Sequence, residues 1–391
     1  WDDYQGFDRN SDGIGDLTIS NLTFDLTGYS QSGSFNTLGT GTGKNITIDR
    51  FPIGTGPYMM ETNNPNMEVV LARNANFHYE EYPAEGESSD GPNGLLKKAG
   101  SKLPFIDKIV FKLEKEAIPR WNKFLQGYYD TSGITSDSFD QAVSIGSAGR
   151  PELTEAMEER GIRLLTSVRP ATFYSGFNML DNAVGGYSIE KQKLRQAISI
   201  ALDYEEFIEI FSNGRGVAAH SPLPPGIFGY KEGKDGINPF VYDWDEAKGK
   251  PVRKSIEYAR ALMAEAGYPA GRDSSGRPLV ITFDNPWTGA DSTQMISWYI
   301  KRFALLGIQL ENRTTDYNRF QEKMVSGNFQ FFSWGWNADY PDPENFFFLL
   351  AGSNAKVAYK GENAANYANA GFDSLFKAME NMENTEERQK V

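Results

Sequence analysis

The chain has 391 residues, enough for two or three domains, and its 39 basic against 52 acidic side chains leave a net charge of −13. That charge repels phosphate backbones and anionic lipid alike, so nucleic acid is excluded as a partner, and no apolar run of about 18 residues offers a helical membrane span. With no cysteine, disulfide frameworks, thiolate catalysis and cysteine-bound zinc are excluded; with only His78 and His220, histidine metal clusters and histidine triads are disfavoured too.

The opening residues, "WDDYQGFDRN", show neither an initiating Met nor the basic-then-apolar pattern of a targeting signal, so a mature or trimmed chain is expected. Residues 1–50 are rich in Thr, Ser, Gly and Asn, and Ile19, Leu22, Phe24, Leu26, Ile46 and Ile48 predict short strands separated by turns. Here "GFDRNSDGIGD" looks like a compact calcium loop: Asp8, Asn10 and Asp12 take positions one, three and five, Gly13 six and Asp16 nine. Ile19 stands at position twelve, where a bidentate Glu belongs, so a weak calcium site and an Asx-rich surface turn both remain open. "ISNLTFDL" and "KNITIDR" look like one coil of a parallel β-helix. They support a rival reading, a calcium-bound β-helix enzyme or adhesin, although no repeat of about 20 residues follows. "GTGTGK" at 39–44 has the wrong glycine spacing for a phosphate loop.

From residue 51 the texture changes. "MEVVLARN" and "DKIVFKLE" predict strands, and the acidic, Gly-rich stretch 84–101 predicts a surface loop. A helix capped by Ser188 repeats Leu194, Ile198, Leu202, Ile208 and Phe211 and runs to Gly214; another carries Ile256, Ala259, Leu262, Met263 and Ala266 and stops at Gly267. Then come "PLVITFD", a helix around Met295, Trp298, Arg302 and Leu306, "GIQLENRT", a short helix from Tyr317 to Val325, and "FQFFSWGW". This alternation predicts crossovers onto a mainly parallel sheet. The last strand is apolar on both faces, Phe329, Phe331 and Ser333 on one and Phe332, Trp334 and Trp336 on the other, and is expected between helices. Beyond its carboxyl end, where open α/β sheets bind ligands, fall Trp336, Asn337, Asp339 and Tyr340. Gly335 would let a backbone come close, Trp334 reads first as core, and Asp342 and Glu344 read as turn and helix-cap residues beside Pro341 and Pro343.

"PIGTGPY" at 52–58, "LPFIDKIVFKLE", "LRQAISIALDYEEF", "PLPPGIFGY" and "WNADYPDPENF", in this order, resemble family 5 of the bacterial extracellular solute-binding proteins, the dipeptide and oligopeptide receptors of ABC importers. The resemblance runs from about Phe51 to Val391 and implies an α/β, two-lobe periplasmic binding protein of type II (cluster C). One lobe would include 51–175, the hinge would lie near "YSGFNMLD", the second lobe would span 176–391, and 1–50 would stand apart as a β-rich segment. The family implies a non-enzymatic receptor that closes on a peptide-like ligand and presents it to a membrane permease. By position Asp339 would pair with the ligand's α-ammonium and Trp336 would line a side-chain pocket, with Trp334, Asn337 and Tyr340 completing the set. A monomer in the periplasm or on the outer face of the cell membrane is expected, needing no cofactor beyond calcium at the N-terminal loop. The sequence departs from the family pattern at Ser333, where oligopeptide receptors carry Arg, and "FDNPWTGAD" holds no basic residue to clamp a ligand carboxylate. Family members also continue past the counterpart of "ERQKV", so a truncated chain is expected.

Overall fold

The computed structural model describes residues 52, 54–64, 66–86, 88–145, 151–166, 169–289 and 292–391, together with the backbone of two short strands, Phe7–Arg9 (β1) and Gly15–Leu17 (β2). The chain forms two compact units, Trp1–Lys115 and Glu116–Val391.

In the first unit β1 and β2 pair antiparallel with Asp8 opposite Asp16. Asn10, Asp12 and the side chains of Asp8 and Asp16 lie outside the described residues, and the calcium-loop reading lies there with them. Tyr58–Asn64 (β3), Glu68–Arg73 (β4) and Lys108–Lys112 (β5) form an antiparallel sheet in that order, close to the two strands read from "MEVVLARN" and "DKIVFKLE". Asn64 makes the first turn: its carbonyl accepts the Met67 N–H at 3.0 Å and its side chain accepts the Asn66 N–H at 3.1 Å. The Tyr58 hydroxyl donates to the Ile106 carbonyl at 3.0 Å, so the Gly-Thr-Gly-Pro-Tyr turn is tied into its own unit.

The second unit carries two small hairpins, Val143–Ile145 (β6) with Pro151–Leu153 (β7) and, beyond Ala171–Phe177 (β8), Tyr242–Asp245 (β9) with Lys250–Arg253 (β10). Its main sheet joins β8 to Val280–Asp284 (β11), Gln309–Asn312 (β12) and Phe331–Asn337 (β13) in the order β12-β11-β13-β8. The β11–β12 and β11–β13 pairs are parallel, as the strand–helix alternation predicts, while β8, which holds the first half of the segment expected to form the hinge, is an antiparallel edge strand. Helices Ile189–Ala201, Ile256–Glu265 and Ser292–Ala304 bury their apolar stripes with Ile281, Phe283 and Phe331 in one core. Phe332, on the opposite face of β13, packs into a second cluster with Phe320, Met324 and Phe329. The strand is thus apolar on both faces because it is covered on both.

One expected helix is two. The stretch from Ser188 to Gly214 breaks after Ile189–Ala201 and resumes as Tyr204–Ser212. The Asp203 carboxylate accepts the Glu206 N–H at 3.1 Å and starts a new helix, although the apolar period continues through Leu202. Helices Ile256–Glu265 and Tyr317–Ser326 begin at Ser255 and Asp316, which cap them, and give way to Gly267 and Gly327 at φ 86° and 75°, a conformation glycine adopts without strain. No described helix is long and apolar enough to cross a membrane.

Candidate functional site

β11 pairs with β13 only at Phe331 and Phe332, whereas β8 follows β13 to its end, Phe177 opposite Phe331 and Ala171 opposite Asn337. The last residues of β13 therefore run past β11, and with the period of two Trp334 and Trp336 project from the same face. A cavity of about 370 Å³ lies there, lined by Tyr174, Tyr317, Gln321, Trp334, Gly335, Trp336, Asn337, Asp339, Leu349, Lys356 and Glu362. Four of the five residues expected from the sequence, Trp334, Trp336, Asn337 and Asp339, come together in this wall. Tyr340 does not line it: the side chain is exposed and donates to Glu344, a hydrogen bond that pushes its phenol pKa up.

Each wall residue has a structural reason for its place. Trp334 lies edge-on to Phe320 at 4.9 Å and Tyr317 at 6.4 Å between ring centroids, which ties it to the helix Tyr317–Ser326. Trp336 packs beside Leu223, Ile227 and Phe346, and its ring meets Phe348 edge-on at 5.0 Å. Asn345, 3% exposed, was not foreseen. Its Oδ1 accepts both the Trp336 indole N–H at 3.2 Å and the Asp339 backbone N–H at 2.8 Å, so one buried amide orients the aromatic wall and the turn that carries the exposed acid. The space a Cβ would occupy at Gly335 is taken by the Phe173 ring of the neighbouring strand, so this glycine accommodates a protein side chain rather than leaving room for a ligand backbone.

Lys356 and Glu362 were also not foreseen. Lys356 is 7% exposed; its Nζ lies 2.8 Å from Glu362 Oε2 and 5.2 Å from the centre of the Trp334 ring, an ion pair and a cation–π contact together. Burial pushes the Tyr174 phenol pKa well up, and the Glu362 charge adds to that. Asp342 and Glu344 keep to structural work. The Asp342 carboxylate accepts the Glu344 N–H at 2.9 Å and pairs end-on with the two terminal nitrogens of the buried Arg388 guanidinium through two contacts of 2.7 Å. Burial opposes the charged form of Asp342, but the Arg388 and Glu344 hydrogen bonds and the Arg388 charge outweigh it and hold the carboxyl below its usual range. Ser333, at the position where oligopeptide receptors carry Arg, is buried.

A profile of the bacterial extracellular solute-binding proteins, family 5 (middle), matches residues 25–357. The chain belongs to this family. The match begins at residue 25, so half of the segment expected to stand apart, 25–50, is matched to the family too, and it ends at 357 rather than 391. The solute-binding protein is 25% identical over 351 residues to Heme-binding protein A of Haemophilus influenzae, covering 89% of this chain and 53% of that protein. It is 22% identical over 332 residues to the Dipeptide-binding protein of Escherichia coli, covering 84% and 50%. The solved dipeptide binding protein from Pseudoalteromonas sp. SM9913, in complex with Met-Leu, superposes with a TM-score of 0.62 at 20% identity over 87% of this chain and 55% of that one, a likeness of fold. The chain spans about half the length of the curated relatives it matches. None of these likenesses supports the calcium loop or the β-helix enzyme, and among the described residues no group of three or more His, Asp or Glu could hold a metal ion.

Proposed function

We propose that this solute-binding protein is a non-enzymatic receptor that captures a peptide-like ligand at the end of β13 and delivers it to a membrane ABC permease, acting as a monomer in the periplasm or on the outer face of the cell membrane. The observation that carries the reading is the cavity itself: about 370 Å³ lined by Trp334 and Trp336, with exposed Asp339 on its wall. Flat apolar walls suit a side chain, and an acid beside them suits an ammonium, the two features of a free peptide's amino end. A relative named for dipeptide binding supports the same ligand class. Ligand contacts would stabilise a closed form at the expense of an open one, a population shift with no chemical step and no cofactor.

Native mass spectrometry of the purified protein identifies the ligand it carries. Titration calorimetry with the tripeptide Leu-Ala-Ala, and with ferric haem as the contrasting ligand, then tests the site. Asp339→Asn keeps the shape and removes the charge. The loss of one charge-assisted contact at an exposed carboxylate weakens peptide binding by about 1.5 to 3 kcal/mol, roughly tenfold to a hundredfold. Binding within about threefold of wild type would remove Asp339 as the ammonium anchor. Haem binding without peptide binding would overturn the ligand class.

A further inference from the structure

Resting on the peptide reading above, we infer that the cavity selects for a cationic first side chain and against an acidic one, and that Glu362 sets this preference with Lys356 as its positioning residue. The charged side chains lining the cavity are Asp339, Glu362 and Lys356, one cation against two acids. The cation is committed. Lys356 is 7% exposed, bonded to Glu362 Oε2 at 2.8 Å and held over the Trp334 ring at 5.2 Å. Glu362 keeps 42% of its side chain exposed, and Asp339 is exposed as well. A ligand entering the cavity therefore meets two carboxylates, while the ammonium sits behind one of them.

The balance of charge sets the preference. An α-ammonium paired with Asp339 neutralises the excess acid. The group beside it then meets Glu362, a carboxylate that accepts one bond from Lys356 and, with about four lone-pair sites, still takes donors. A Lys or Arg side chain supplies those donors and lays its stem along the aromatic walls. An Asp or Glu side chain has no proton to offer and finds no uncommitted cation among the residues lining the cavity. The Glu362 loop is placed firmly: neighbouring Asn363 is fully buried, and its amide donates to the Ala351 and Tyr367 carbonyls at 2.9 and 2.8 Å. Lys356 donates its backbone N–H to the Asn363 carbonyl at 3.0 Å, which locks both members of the ion pair to one strut.

Titration calorimetry on the full chain with Lys-Ala-Ala, Leu-Ala-Ala, Glu-Ala-Ala and Ala-Ala-Lys tests this. Lys-Ala-Ala is expected to bind about tenfold or more tighter than Glu-Ala-Ala, with Leu-Ala-Ala between them, and Glu362→Gln is expected to cut that ratio to about threefold or less. The ratio is unmoved by a general loss of folding or affinity. Ala-Ala-Lys carries the same net charge with its cation at the other end, so it gains nothing if the effect belongs to Glu362. Equal binding of Lys-Ala-Ala and Glu-Ala-Ala, an unchanged ratio in Glu362→Gln, or an equal gain for Ala-Ala-Lys overturns the inference and leaves the peptide reading standing. Binding of none of the four overturns the peptide reading, and the inference with it.

Discussion

Asn345→Leu is the most direct test of how the site is built, because it keeps approximate volume and removes the one acceptor shared by Trp336 and Asp339. In the wild type that oxygen takes the Asp339 N–H at 2.8 Å and the Trp336 indole N–H at 3.2 Å from a position 3% exposed. Leucine leaves both donors facing apolar surface. A buried donor without a partner costs about 1 to 3 kcal/mol, and since both donors lie near the exposed end of β13, where water replaces part of the loss, the two together should cost about 1 to 3 kcal/mol rather than twice that. Urea unfolding followed by tryptophan fluorescence measures the stability change. Calorimetry with Leu-Ala-Ala should show a parallel loss of about fivefold to thirtyfold, the fraction of molecules in which the turn no longer presents its acid, equivalent to about 1 to 2 kcal/mol. A variant whose midpoint and affinity both match wild type within about 0.3 kcal/mol would refute the claim that this amide holds the site together.

Arg388→Ala, which strips Asp342 of a buried guanidinium held by two contacts of 2.7 Å, should destabilise the second unit by about 3 kcal/mol, read in the same urea experiment. Because Asp342 is held below its usual range in the folded state, its contribution is fully present above the unfolded carboxylate value of about 3.9 and is lost as pH falls through the folded value. Asp342→Asn should therefore flatten the fall in stability on acidification below about pH 4, and an acid limb identical to wild type would count against the pair. Gly176→Ala would drive a Cβ into the fully buried Phe332 ring and should cost about 1 to 3 kcal/mol of overpacking, with a neutral melt refuting that packing.

The apolar period made most of the second unit legible. Helices through Leu194, Met263 and Phe320, and a last strand apolar on both faces, follow from spacing alone. The break at Leu202–Asp203 was hidden because the apolar repeat runs straight across it; the signal that could have exposed it is the acid pair Asp203 and Glu206, a cap followed three residues later by Glu. Trp336, Asn337 and Asp339 were legible at the cavity because the carboxyl end of a parallel strand is a place where ligands bind, whereas the same rule brought in Tyr340, which does not line it, and read Trp334 first as core. Asn345, Lys356 and Glu362 were not. They come from a single turn of helix, the start of another and the loop after it, segments too short to show a period, and tertiary turns rather than sequence spacing bring them back to β13.

Register explains why the cavity sits where it does. β13 pairs with β11 over two residues and with β8 over seven, so its far end is carried by the antiparallel edge strand alone. Phe331 faces one core and Phe332 the other, which fixes the alternation for the rest of the strand and sets Trp334 and Trp336 on the face shared with Phe332. A slip of one residue would turn both indoles away from the face shared with Phe332 and put Ser333 on it, exchanging an aromatic wall for a hydroxyl. The two prolines after the strand then turn the chain so that Asn345 returns to the strand end and closes the turn around Asp339. The same register that buries Phe331 and Phe332 therefore places the wall of the cavity, and the aromatic residues of this stretch divide between core and cavity according to how far along β13 they fall.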